Sequence, residues 1–193
     1  MKEKLLISTI GDSLTQGNTQ DSILSGNPFF PNIYQSYTYN YLRESGIECE
    51  IKNFGIGGQI INEICDRFLD TVPADIIVTM GGTNDIWRYA DLDEGIEEEI
   101  SDTILELYEK CVYKAIEFQK EENGNSPTIF VCSIPPFADV NTLPKNGHKA
   151  LLFINERIRI WVEKQSNEQI KFCDIHKAMQ NEKLYMRDGL AIA

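Results

Sequence analysis

The sequence predicts a three-layer α/β domain built around a mainly parallel sheet, and two patterns in the chain indicate this fold class. Five short apolar runs rich in Ile, Val and Phe recur at strand length, and each is followed by turn residues. Amphipathic helical patterns lie between these runs, with short connections. Such alternation is typical of helices that pack on both faces of a parallel sheet. The chain has 193 residues, of which 42% are apolar, and is expected to form one domain over residues 1–193.

The individual elements follow from the same patterns. Strands are predicted at 4–10, 49–54, 75–80, 128–134 and 170–175. Helices are predicted at 33–45, 60–68, 96–123 and 151–162, where apolar residues recur on one face. The long, proline-rich segment 133–149 is expected to run along the rim of a pocket.

The charge of the chain disfavours some partners. It has 18 Lys and Arg against 30 Asp and Glu, a formal net charge of −12, whereas nucleic acids and anionic membrane surfaces need basic patches. No apolar run approaches the roughly 20 residues of a membrane helix, so membrane insertion is not expected. The first apolar run lacks a small-residue cleavage site, which favours a strand over a signal peptide.

The five cysteines are an odd number and contain no C-x-x-C pair. Most lie inside apolar patterns, so buried free thiols in a reducing compartment, by default the cytoplasm, are expected. No cluster of His, Cys and Asp has metal-ligand spacing, and neither a metal nor another cofactor is expected.

Glycine and polar residues follow the first three predicted strands, in the segments IGDSLTQG, NFGIGGQ and MGGTNDIW. In an open parallel sheet such segments meet at the carboxyl edge of the strands, where ligands bind. Ser13 is a candidate nucleophile, although a serine at the start of a helix is more often an N-cap. Gly55 and its neighbours allow a turn with exposed N–H groups, and Asn84 offers a carboxamide. When each residue is taken singly, a plain turn or a helix cap is the better explanation.

Together these residues fit acyl transfer, which needs a nucleophile and hydrogen-bond donors that face the oxyanion formed on an attacked ester carbonyl. Ser13 supplies the hydroxyl. Gly55 supplies an N–H that an acyl group can approach without meeting a Cβ, and Asn84 supplies a side-chain NH₂. One such donor typically contributes about 3 kcal/mol of transition-state stabilisation.

The three segments resemble the first three sequence blocks of the GDSL, or SGNH, hydrolase family, through GDSL at 11–14, NFGIGG at 53–58 and GTND at 82–85. The resemblance implies a flavodoxin-like strand order of 2-1-3-4-5. It also implies that Ser13 is the nucleophile and that the Ser13 and Gly55 N–H groups and the Asn84 side chain form the oxyanion hole.

The last block of that family is Asp-x-x-His, in which the histidine takes the serine proton and the aspartate orients the imidazole. The resemblance makes Asp188 this aspartate, but Ala191 stands in the position of the histidine. His148 and His176 lie where a surface or capping role is commoner than that of a base. Three explanations are open: a shortened chain that also lacks the usual last helix, a loss of the base at Ala191, or a binder without the chemistry.

The sequence therefore predicts a serine esterase for small acyl esters, such as an O-acetylated sugar, a short-chain ester or a lysophospholipid, in an incomplete or altered copy of a hydrolase. A catalytically inactive protein that binds a carbohydrate or acyl ligand on the same fold is the alternative. A flavin- or nucleotide-binding α/β protein ranks last, because Asp12 would repel a phosphate in the first loop. The oligomeric state does not follow from these patterns.

Overall fold

The sheet has five parallel strands in the order predicted for it. The computed structural model describes residues 4–17, 33–89, 95–136 and 146–179. The strands are β1 (Leu5–Gly11), β2 (Cys49–Gly55), β3 (Ile76–Met80), β4 (Thr128–Cys132) and β5 (Ile170–Cys173). They lie side by side in the order β2-β1-β3-β4-β5, and every neighbouring pair is parallel. The strand order 2-1-3-4-5 is confirmed.

The helices cover both faces of this sheet. They are α1 (Ser13–Gln16), α2 (Tyr34–Glu44), α3 (Ile61–Asp66), α4 (Thr83–Tyr89), α5 (Ile96–Asn123), α6 (Gly147–Glu163) and α7 (Ile175–Met179), with a 3₁₀ turn at Phe68–Thr71. The helices predicted at 33–45, 96–123 and 151–162 are confirmed as α2, α5 and α6. The pattern at 60–68 divides into α3 and the 3₁₀ turn. No helix in the described part of the chain is both long and apolar enough to cross a membrane.

The main core lies between one face of the sheet and helices α3, α5 and α6. Alternate strand residues such as Ile10, Ile77 and Ile129 face this side, and none of them is exposed to solvent. α5 contributes Tyr108, whose ring is buried and stacks on Trp161 of α6 with centroids 6.5 Å apart. Burial of each large apolar side chain contributes about 1.5–3 kcal/mol to folding, so this face anchors the sheet.

The opposite face carries α1, α2 and α7 over a smaller apolar layer. Leu14 packs with Met80 and Cys132 near the carboxyl ends of the strands, and Ile7 and Ile51 form a second cluster under α2. The chain is therefore an α/β/α sandwich. Because β1 lies between β2 and β3, the loops after these three strands emerge next to one another, where the strand order reverses.

Candidate active site

The loops that follow β1, β2 and β3 meet at the carboxyl edge of the sheet. Gly11 of β1 is in register with Gly55 of β2 and with Met80 of β3. The Ile56 N–H donates to the Gly11 carbonyl at 3.0 Å, which holds the second loop against the first. Ser13 and Asn84 follow closely after Gly11 and Met80. The topology therefore brings the segments of Ser13, Gly55 and Asn84 to one edge.

Ser13 is the first residue of α1, and its side chain is exposed. The N-cap of this helix is Asp12, whose Oδ1 accepts the Leu14 N–H at 2.9 Å. The interpretation of Ser13 as an N-cap is thus wrong, since the preceding carboxylate already satisfies the first turn. Among the described residues, none forms a hydrogen bond with the Ser13 hydroxyl or with its N–H. Within the described part of the chain, both groups are therefore without a partner.

Gly55 is required by the close approach of α1. A Cβ at this position would lie 2.1 Å from the backbone nitrogen of Gln16, so any other residue would push the second loop away from the nucleophile. The Gly55 N–H donates to Asn53 Oδ1 at 2.9 Å. The donor expected from the sequence to face an oxyanion is therefore already paired inside the protein.

Gly57 and Gly58, the next two glycines of the second loop, are exposed to solvent. A Cβ at Gly57 would be 3.6 Å from the Ser13 Cβ, and the Gly57 N–H donates to Gln16 Oε1 at 2.7 Å. Gly58 has a φ of 81°, in the left-handed region that favours glycine. Gly58 is exposed, and none of the described residues accepts its N–H.

Asn84 lies in the first turn of α4 and is half-buried. Its Nδ2 donates one hydrogen to the Gln59 carbonyl at 2.9 Å, which fixes the carboxamide against the second loop. One turn further on, Arg88 donates to the Gly58 carbonyl at 2.6 Å. An amide group has two N–H donors, and the second Asn84 hydrogen has no acceptor among the described residues.

Two buried carboxyl groups, Asp12 and Asp85, lie beneath these loops. Asp85 Oδ2 accepts the Ile61 N–H at 3.1 Å and so ties α4 to the start of α3. Asp12 Oδ2 is buried with no hydrogen bond from the described residues. Burial raises the pKa of Asp12 to about 6.

Burial likewise raises the pKa of Asp85 to about 6, and the nearby charge of Asp12 adds to this shift. The sequence interpretation treated Asp12 only as a group that repels phosphate. The positions of Asp12 and Asp85 after strands were visible in the sequence, but their burial was not, because it depends on how three loops pack together. Asp85 ties α4 to the start of α3, and Asp12 caps α1 within its own loop.

The block that holds the base in the resembled family lies outside the residues that the structure describes. Asp188 and Ala191 are outside the described residues, and so is most of the proline-rich segment 133–149. His148 is the second residue of α6 and is exposed.

His176 differs from the surface role expected for it, because it is a buried residue of α7. Its Nδ1 lies 3.2 Å from the Ile134 carbonyl, and its backbone N–H donates to Ser133 Oγ at 2.8 Å. The Ser133 hydroxyl donates to Asp174 Oδ1 at 3.3 Å. This serine, aspartate and histidine are adjacent, but Ser133 is fully buried and connects β4 to α7, so it is closed to substrate.

Two cavities open near the site. An apolar cavity of about 390 Å³ lies on the face covered by α2 and α7, and its wall includes Leu14, which directly follows Ser13. A cavity of about 370 Å³ lies between α3 and α5, and its wall includes Asp85, Asn62 and Glu99. One cavity is thus apolar and the other carries hydrogen-bonding groups, and both have the size of small-molecule sites.

Comparison with known proteins places these features in a family. Residues 9–192 match the sequence model of the GDSL-like lipase/acylhydrolase family. A lipase from goat rumen metagenome is similar in structure, with 22% identity and a TM-score of 0.72 over 97% of this chain and 90% of that chain.

Two further structures have the same fold. A catalytic mutant of an acetylxylan esterase from Geobacillus stearothermophilus has 18% identity and a TM-score of 0.68, over 100% of this chain and 87% of that one. A carbohydrate acetylesterase from Sinorhizobium meliloti has 15% identity and a TM-score of 0.67, over 98% and 91%. At these identities the likeness shows the fold alone. No curated protein sequence matches the chain.

Proposed function

We propose that this chain, which belongs to the GDSL-like lipase/acylhydrolase family, hydrolyses small acyl esters through an acyl-enzyme formed on Ser13. The observation that carries the proposal is the exposed Ser13 hydroxyl, unpaired among the described residues, at the edge where Gly57 and Asn84 also lie. The hydroxyl oxygen attacks the ester carbonyl carbon, the alcohol leaves, and water then releases the acid.

The negative charge that forms on the carbonyl oxygen needs fixed donors. The Ser13 N–H and the second Asn84 Nδ2 hydrogen are two of these donors. The third was expected from Gly55, but the hydrogen bond from the Gly55 N–H to Asn53 favours the unpaired N–H of Gly58 instead. Loss of the Asn84 donor in an active form, by Asn84→Ala, is expected to lower kcat by about 10²–10³-fold.

The proton of Ser13 needs an acceptor. We place this acceptor at position 191, beside Asp188, where the resembled family has its histidine. Alanine has no group that takes a proton, so the Ser13 hydroxyl keeps an alcohol-like pKa and attacks slowly. An oxyanion hole alone still supports roughly 10³–10⁴-fold catalysis over water. The chain with Ala191 is therefore proposed to turn over slowly.

The substrate is proposed to be a short acyl ester, in particular an acetyl ester, of a hydroxyl-rich alcohol. The cavity beside Asp85 carries Asn62, Glu99 and Thr103, whose polar atoms suit hydroxyl groups of a leaving alcohol. The similar folds of an acetylxylan esterase and a carbohydrate acetylesterase support the same substrate class.

A second candidate function is binding of such a ligand without turnover, and the observation that favours it is Ala191 itself. The Ala191→His substitution distinguishes the two functions. If the segment around Asp188 forms the last block of the site, this substitution restores the base and raises the rate by orders of magnitude.

The test compares the hydrolysis of p-nitrophenyl acetate by the Ala191→His protein with and without Ser13→Ala. Loss of Ser13 is expected to lower the rate by roughly 10³-fold or more. Ser45→Ala, at an exposed serine after α2, is the matched control and is expected to leave the rate unchanged. A Ser13→Ala protein with full activity would show that another residue does the chemistry. No gain from Ala191→His would remove Asp188 from the site and favour the binding function.

A further inference from the structure

Two cysteines from different helices touch each other at the edge of the main core. The Sγ atoms of Cys65, in α3, and Cys111, in α5, are 2.9 Å apart. The two residues are 46 positions apart in the sequence, so their contact is created by the fold. Both are free thiols in this structure. The S–S bond of a disulfide is about 2.05 Å, which means that less than about 1 Å of movement separates the thiols from bonding distance.

We propose that Cys65 and Cys111 are a disulfide-forming pair, which covalently joins α3 to α5 when the protein meets a small disulfide oxidant. Cys65 is partly exposed, whereas Cys111 is only 6% exposed. An oxidant therefore reaches Cys65 first, and Cys111 is held behind it as the resolving thiol. Neither residue belongs to the proposed ester-hydrolysing site, so this inference is independent of the proposed function.

The other pair of neighbouring cysteines is less suited to a disulfide. Cys132 and Cys173 are register partners on the adjacent parallel strands β4 and β5. Neighbouring strands lie about 4.8 Å apart and their Cβ atoms point the same way, whereas a disulfide requires about 3.8 Å between Cβ atoms. The neighbouring Cys132 thiol lowers the pKa of Cys173, but it does not shorten this distance. Cys49, the fifth cysteine, packs with Ile7 and Ile51 under α2.

The exchange with glutathione disulfide balances in two steps. The Cys65 thiolate attacks one sulfur of the reagent, the reagent S–S bond breaks, and one glutathione thiolate leaves. Cys111 then loses its proton and attacks Cys65 Sγ, which forms the protein disulfide and releases the second glutathione. Two protein thiols are oxidised and one small disulfide is reduced to two thiols. Burial raises the pKa of the Cys111 thiol, so the second step is expected to be the slow one.

The link would act on the scaffold of the candidate site. α3 begins at Ile61, whose N–H is held by Asp85, and it follows directly from the glycine loop. A bond from Cys65 to α5 attaches this short helix to the longest helix of the core. It also closes a long loop of the unfolded chain, which is the usual origin of disulfide stabilisation.

The experiment uses the reduced full chain, incubated with glutathione disulfide near pH 8, blocked with N-ethylmaleimide and digested with trypsin without reduction. We expect residues 53–67 and 111–114, the tryptic peptides that carry Cys65 and Cys111, to be recovered as one linked species. The oxidised protein should melt roughly 5–10 °C higher than the reduced one. This rise should vanish in Cys65→Ser and persist in the matched control Cys49→Ser.

Two outcomes would overturn the proposal. One is a linked pair other than Cys65 and Cys111, such as Cys132 with Cys173. The other is that Cys65 remains bound to glutathione as a mixed disulfide after prolonged incubation. In that case Cys111 stays a free thiol, which N-ethylmaleimide alkylates fully once the protein is unfolded. The peptide map needs no substitution, so it decides the matter even if a cysteine variant fails to fold.

Discussion

Asp12→Asn replaces a buried carboxylate by an amide of the same shape, whose Oδ1 can still accept the Leu14 N–H. The pKa of Asp12 is about 6 in the folded protein, against an ordinary value of 3.8. Between these two pH values the folded protein holds a proton that the unfolded chain has already released. The contribution of Asp12 to the free energy of unfolding therefore falls as pH rises through this window, and it is constant above it. The whole window corresponds to about 3 kcal/mol, at about 1.4 kcal/mol per pKa unit.

Urea unfolding of wild type and Asp12→Asn at several pH values from about 5 to about 7.5 measures this effect. The range starts above the sequence pI of about 4.6, because proteins without net charge tend to precipitate. Relative to the variant, wild type should lose on the order of 1 kcal/mol over this range, or roughly 2–4 °C in Tm. Asp66→Asn, at an exposed carboxylate of α3, is the matched control for the loss of one carboxylate. A difference between wild type and Asp12→Asn that is constant with pH would refute the reasoning, since it would mean that the Asp12 carboxylate is solvated or paired.

Two further substitutions test the packing that positions the site. Gly55→Ala should destabilise the protein by at least about 3 kcal/mol, because its Cβ would overlap the backbone of α1 at 2.1 Å. Gly58→Ala meets no atom within 4 Å and should cost only about 1 kcal/mol, from its left-handed φ of 81°; equal losses for the two would contradict the close approach. Ile104→Ala should cost about 2–5 kcal/mol by chemical denaturation, whereas Leu152→Ala, 45% exposed, should cost under about 1 kcal/mol. Similar costs for Ile104 and Leu152 would place the main core elsewhere.

Periodicity in the sequence was sufficient to predict the strands and the longer helices, and the resemblance to a known family was sufficient to predict the strand order. α4 and α7 were not predicted, because seven and five residues hold too few apolar positions for a helical period. α7 also contains His176, and its burial depends on a long-range contact with Ser133 that no local pattern reveals.

The candidate site also has features that the sequence predicted and features that it did not. That Ser13, Gly55 and Asn84 would share one edge followed from the topology of a parallel sheet. The sequence did not predict which residue caps α1. Asp12 and Ser13 are both good capping residues, and the path of the chain decides between them. The missing Cβ of Gly55 was interpreted as room for an acyl group, but that space is filled by the α1 backbone. A glycine in the sequence indicates that another group packs closely against the backbone, but it does not show whether that group is a ligand or another part of the chain.

Acetylation of Ser13 tests the proposed chemistry most directly. The full chain is mixed with p-nitrophenyl acetate, quenched in acid and digested with trypsin, and the peptide of residues 5–43 is fragmented to locate any acetyl group. No histidine stands at position 191, so both the attack by Ser13 and the later attack by water are slow. Because p-nitrophenolate is a good leaving group that departs without a proton, acylation should still be faster than hydrolysis of the acyl-enzyme, which should accumulate. We expect one acetyl group on Ser13 and none on this peptide in the Ser13→Ala protein. Acetylation confined to lysine or cysteine side chains, at the same rate in both proteins, would contradict the assignment of Ser13 as the nucleophile.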